Sequence, residues 1–211
     1  MSRSGEFGSG DKSRREIVAE VCGVLALAAV ANKDKVGLLL FSDRVELFVP
    51  PAAGRGHVLR LIRELLAWVP EGQGTDFGAP LELLGSVLKR KATVFMVSDF
   101  WAGGFDAPLQ TLSRRHDCVA VRVRDPIENE LPEAGLVRWR DAETGEEQVL
   151  DTSHAASRRA VADARTAHDL ALEATFRRAR VDIVDIRTDR SYVDALSRFF
   201  TARSGRRGRR R

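Results

Sequence analysis

The chain has 211 residues, 44% of them hydrophobic and 30% charged, with a formal net charge of +4. Those values describe one globular domain and exclude a disordered or collagen-like chain. The longest apolar run, Val21 to Ala31, falls short of the ~20 residues that cross a bilayer, and the opening residues lack a charged-then-apolar leader pattern, so a cytoplasmic protein is expected.

After a glycine- and serine-rich opening, "KSRREIVAEVCGVLALAAVAN" (12–32) predicts a helix with a wide apolar stripe that includes Ile17, Val21, Val24, Leu25 and Ala28. "KVGLLLFS" (35–42) is a continuous apolar run, the pattern of a strand covered on both faces. "VELFVP" follows across a tight turn, and its alternation closed by Pro50-Pro51 predicts a hairpin partner at a sheet edge. Val58, Leu61, Ile62, Leu65, Leu66 and Val69 keep helical spacing, as do Leu81, Leu84 and Leu88. "ATVFMV" (92–97) and "CVAVRV" (118–123) read as buried strands, with a short helix about 108–115 between them. Cys118, and Cys22 in the first helix, read as small core hydrophobes rather than a metal pair.

Residues 125–152 break the rhythm with an acidic, proline-bearing loop and then two short strands around Gly145, an appended hairpin carrying Trp139 between Arg138 and Arg140. A long helix (about 155–179), a strand (181–186) and a closing helix with Tyr192, Leu196, Phe199 and Phe200 complete the pattern. Strands alternating with amphipathic helices predict an α/β, doubly wound, mostly parallel sheet, a Rossmann-like arrangement, spanning residues 1–202. Six of the last nine residues (203–211) are Arg, and without them the net charge falls from +4 to −2. This tail is expected to be disordered, with a tether to nucleic acid or an anionic surface as its functional alternative.

Ligands in open α/β sheets bind beyond the carboxyl ends of the strands. Three oxygen-rich loops fall there: "SRSGEFGSG" with Ser2 and Ser4, "GQGTDFG" with Thr75 and Asp76, and "VSDFW" with Asp99. Hydroxyls and a carboxylate are hard ligands, suited to Mg²⁺ or a similar divalent cation.

Together with "NKDKVGLLLFSDRVELFVPP", "DPIENELPEAG", "DAETGE" and "RTDRSYVDALSRFF", these loops make the chain resemble the von Willebrand factor A-like domains. The resemblance is to the bacterial proteins of that class associated with MoxR-type AAA+ ATPases. It implies a metal-ion-dependent adhesion site of pattern Asp-x-Ser-x-Ser, Thr and Asp, with Ser2 and Ser4 as its serines, Thr75 its threonine and Asp99 its distal aspartate. A partner's carboxylate would complete the coordination, and Asp76, Phe100 and Trp101 would flank the contact. It further implies work with a MoxR-type ATPase and its client in complex assembly or maturation. The leading aspartate of the pattern would precede Met1, at the end of a central first strand, so an N-terminally truncated domain with that strand missing is expected.

No Walker A loop or paired carboxylates with an obvious base appear. A non-enzymatic interaction module is therefore the leading reading, and a Mg²⁺-dependent hydrolase or phosphatase using Asp99 is the enzymatic alternative.

Overall fold

The computed structural model describes residues 13–72, 74–126, 133–140 and 147–208. Helix α1 (Arg14–Ala31) starts at a capping box: Glu16 N–H donates to Ser13 Oγ, and Ser13 N–H donates to Glu16 Oε2 at 2.7 Å. This exchange satisfies two of the amides that a helix start leaves without intrahelical partners.

Strand β1 (Val36–Phe41) pairs antiparallel with β2 (Val45–Ala52). The register slips at both ends of the pair, once around Pro50-Pro51 and once at Glu46. A bulge bends the strand and re-aims the extra side chain. Helices α2 (Arg55–Ala67) and α3 (Gly78–Val87) lead to β3 (Thr93–Ser98), α4 (Asp106–Ser113) and β4 (Asp117–Arg124). The appended hairpin forms as expected, β5 (Leu136–Arg140) against β6 (Glu147–Asp151), with Trp139 opposite Gln148. Helix α5 (Ala155–Ala179), strand β7 (Asp182–Arg187) and helix α6 (Tyr192–Gly208) close the chain. Helix α6 runs past residue 203, where the tail was expected to begin, and Arg203 pairs with Asp117 and Asp182.

Strands β3, β4 and β7 form a parallel sheet in the order β3-β4-β7. Residues 118–121 of β4 enter opposite cores in turn, which is why they are apolar without alternation. Cys118 and Ala120 face a layer with Leu109, Leu112, Leu172 and Phe176, from α4 and α5. Val119, Val121 and Val123 face Ile17, Val21 and Leu196, from α1 and α6. The fold is α/β, with a mostly parallel central sheet, helices on both faces and an appended hairpin.

The sheet is not continuous. Among the described residues β1 bonds to β2 alone, and β3 bonds to β4 alone. The position between β1 and β3 is that of the expected first strand.

Candidate functional site

The carboxyl ends of β1 and β3 meet through phenylalanines. Phe41, at the end of β1, packs edge-on against Phe77 at a centroid distance of 5.0 Å. Phe77 stacks on Phe100 at 5.2 Å, and Phe100 meets Phe176 of α5 edge-on at 5.1 Å. Thr75 and Asp76 lie one and two residues before Phe77, and Asp99 immediately precedes Phe100, so this buried row holds both oxygen-bearing loops at one end of the molecule. Asp76 N–H donates to the carbonyl of Ser42 at 2.8 Å, which ties the second loop to the end of β1 as well.

Asp99 is mostly buried, and its carboxylate is already engaged. Arg14 Nη1, from the first turn of α1, donates to Asp99 Oδ2 at 2.8 Å. Ser98 Oγ and the amide of Trp101 donate to Oδ1 at 3.2 and 3.4 Å. A guanidinium in the first turn opposes the helix dipole, and the Asp99 carboxylate offsets that cost for the buried Arg14. The sequence signal was the basic first turn itself, an arrangement that calls for a neighbouring anion.

Phe100 does not present aromatic surface to a partner, a correction to its expected role beside the contact. It is fully buried, and its backbone sits in the left-handed region at φ 59°. Its carbonyl accepts from His168 Nε2 of α5 at 3.0 Å. Trp101, one residue on, is 42% exposed. It stacks on the His168 ring at 4.3 Å and under the Arg165 guanidinium at 4.5 Å. His168 therefore positions the loop from below, a role that its place on a helix stripe gave no means to infer.

Asp76 is exposed, and its Oδ1 accepts from the Gly78 amide at 2.7 Å, beside the start of α3. Thr75 is half-buried. Ser2 and Ser4 lie outside the described residues.

A further anchor had not been expected. The β2 bulge turns Glu46 inward, where its carboxylate accepts from Ser42 Oγ, from Trp68 Nε1 at 2.6 Å and from the amides of Glu71 and Gly72 at 3.0 Å each. Burial pushes the Glu46 carboxyl up, but the bonds from Ser42, Gly72, Trp68 and Glu71 outweigh it and hold the group below the usual carboxylate range. Gly72 allows that approach: a side-chain carbon there would meet Ser42 Oγ and Asp43 Oδ1, which would have to move aside.

Behind the site, the charged end of β4 is neutralised. Arg122, 1% exposed, donates to Asp185 at 2.6 Å and to Asp169 of α5 at 3.1 Å, and Arg124 donates to Asp169 at 2.6 Å.

The donor types around Thr75 and Asp99 suit a hard divalent cation in chemistry. With Arg14 on Oδ2, and Ser98 Oγ and the Trp101 amide already on Oδ1, the Asp99 carboxylate would reach such an ion through a remaining Oδ1 lone pair or a bridging water. Among the described residues no group of three His, Cys, Asp or Glu is placed to hold a metal.

The parallel sheet, the helices on both faces and the loops gathered at the carboxyl end make a von Willebrand factor A-like α/β fold, in which no strand lies between β1 and β3 among the described residues. Two solved structures share the fold: the conserved hypothetical protein BatB from Bacteroides thetaiotaomicron (TM-score 0.59, 16% identity, 93% of this chain and 90% of that one), and an aerotolerance-related membrane protein from Bacteroides fragilis (TM-score 0.59, 19% identity, 93% and 91%). The chain belongs to the family described as protein of unknown function DUF58, whose pattern matches residues 1–171. Relatives include the uncharacterized protein Rv1480 of Mycobacterium tuberculosis, 27% identical over 206 residues, 96% of this chain. The uncharacterized protein MAV169 of Mycobacterium avium is 32% identical over 158 residues, 74% of this chain and 93% of that protein. The chain spans 65% of the length of Rv1480. No helix among the described residues is long and apolar enough to cross a membrane.

Proposed function

We propose that the chain is a protein-interaction module whose contact surface is the loop rim around Asp99, and that it recognises an acidic group of its partner through a divalent cation. The supporting observation is the Phe77–Phe100 stack, which gathers the Thr75–Asp76 loop and the Asp99 loop at one end of the molecule with Trp101 exposed beside them. In this reading Thr75 and Asp99 hold Mg²⁺ together with Ser2 and Ser4, and Asp99 acts on the side that Arg14 leaves open. The ion would supply positive charge and an open coordination position for the partner's carboxylate. The resemblance adds the partner: a MoxR-type AAA+ ATPase acting with this module on a client complex.

Calorimetric titration of Mg²⁺ alone into the chain, Thr75→Ala and Asp99→Asn tests the ion. We expect each substitution to weaken binding about tenfold or more, the loss of one charged or hydroxyl ligand; equal affinities in all three proteins would reject the adhesion-type site. Retention of a purified MoxR-type ATPase with Mg²⁺ and its release by EDTA would be the matching result for the partner, and EDTA-insensitive retention would count against the ion's role.

A further inference from the structure

The strands β1, β3, β4 and β7 are each entered from cations. Lys33 and Lys35 precede β1, with Asp34 between them, and Lys89, Arg90 and Lys91 precede β3. Arg114 and Arg115 precede β4, Arg180 precedes β7, and all these cations are exposed. Thr93 lies level with Asp117, and Val119 with Asp182, so the turns before β3, β4 and β7 share one end of the sheet. Phe41 meets Phe77 at the carboxyl end of β1, which puts Lys33 and Lys35 at its other tip, with the rest. Helix α6 returns there too: Arg203 pairs with Asp117 and Asp182, the acids that open β4 and β7. Arg206, Arg207, Arg209, Arg210 and Arg211 follow in the sequence. The same strands are left at acids: Asp43 after β1, Asp99 after β3, Asp125 after β4 and Asp189 after β7. A body whose charges nearly balance is thus polarised along its strands.

Helix ends account for part of this charge. Helices α1, α3, α4 and α5 finish at the basic end, and a cation in a last turn offsets the negative pole of the dipole. Lys89 does so for α3, donating to the carbonyl of Ser86 at 2.8 Å. The dipole fades within a turn, so it does not call for Arg90 and Lys91 beyond Lys89, nor for Lys35 beyond Lys33.

We propose that this basic end docks the protein on a membrane surface that bears anionic phospholipid. Two observations favour a bilayer over a nucleic acid. Apolar side chains stand exposed among the cations: Val87, 36% exposed, two residues before Lys89, and Phe200, 40% exposed, one turn before Arg203. Such side chains enter the boundary between headgroups and acyl chains while neighbouring cations meet the headgroups. Sites for nucleic-acid phosphate add helix N-termini and backbone N–H groups to their cations, whereas α1, α3, α4 and α5 present carbonyl ends here. Docked in this way, the molecule holds the Asp99 rim at the far end of its strands, away from the bilayer and open to a partner.

Co-sedimentation with vesicles of equal parts phosphatidylglycerol and phosphatidylcholine, in physiological salt, tests the surface. Lys89→Gln, Arg90→Gln and Lys91→Gln are combined in one variant; the three side chains are exposed and lie outside α3 and β3, so the fold is kept. The control variant combines Arg44→Gln, Arg187→Gln and Arg190→Gln, which removes the same charge from the opposite end. We expect the chain to bind these vesicles and to stay free of pure phosphatidylcholine. The 89–91 variant should bind about a hundredfold more weakly, roughly fivefold for each cation near the surface, and the control should bind as the chain does. Equal binding to pure phosphatidylcholine, no binding to either vesicle, or an equal loss in the control would overturn the proposal. A third variant changes Arg206, Arg207, Arg209, Arg210 and Arg211 to Gln; if it alone abolishes binding while the 89–91 variant binds as the chain does, the arginine run acts by itself and the proposed surface is wrong. Release from the vesicles by an equal phosphate concentration of duplex DNA would assign the surface to nucleic acid and overturn the lipid.

Discussion

At Phe100 the backbone adopts φ 59° while the ring is wholly buried between Phe77 and Phe176. A non-glycine residue in that region costs about 1–2 kcal/mol, and ring burial together with the His168 bond to its carbonyl offsets the cost. Phe100→Ala removes both ring contacts and should lower stability by about 3–5 kcal/mol, measured by urea unfolding. His168→Leu keeps the packing volume but frees the carbonyl and the Trp101 stack. That variant should fold, with Trp101 emission shifted to the red; an unchanged spectrum would show that His168 does not hold the loop. Asp99 was readable as an acid directly after a buried strand. The fate of its aromatic neighbours was not, because "DFW" gives no sign of which ring turns under the loop, and that choice depends on Phe77 and Phe176, distant in sequence.

Among the elements, β2 shows how one inserted residue links a strand to a loop. The bulge at Glu46 brings a carboxylate to Ser42, Trp68 and the Glu71 and Gly72 amides, and so fixes the approach to Thr75. Glu46→Gln weakens charge-assisted bonds worth about 1.5–3 kcal/mol each, and limited proteolysis should then cut near 68–74 first. The carboxyls of Glu46, Asp106 and Asp185 all titrate below their ordinary range in the folded chain. For Asp106 the lowering comes first from the Arg178 hydrogen bond; for Asp185 burial opposes it, and Arg122 prevails. A lowered folded value means that the stabilisation is complete above the unfolded value, about 4, and drains away as pH falls through the folded one. Stability should thus be level from pH 7 to 5 and decline below 4, less steeply in Glu46→Gln. The strands and helices themselves were legible from apolar runs and helical spacing. The bulge was not, because "VELFVP" alternates as a regular strand would, and the register slip arises only on pairing with β1.

For the molecule as a whole, two half-sheets share α1 and the phenylalanine row, and the β4 charges tie the larger half to α5. Arg122 is 1% exposed, and Asp169 serves both it and Arg124. Asp169→Ala leaves buried guanidinium charge short of a partner, at a cost of about 3 kcal/mol, which a fall in Tm would report; Arg122→Met should be far milder. The β/α alternation was sufficient to read the layers, whereas a missing first strand was implied only by the family resemblance. Arg122 and Arg124 in "CVAVRVR" were the overlooked signal, since charge within a buried strand demands acids from elsewhere, yet nothing local says that Asp169 and Asp185 are those acids. The rims of the two half-sheets carry their own protection. Pro50 and Pro51 interrupt the β2 border, and exposed Arg187 studs β7. Such features discourage foreign chains from stacking along a border, so fibril growth from these two outer strands is disfavoured.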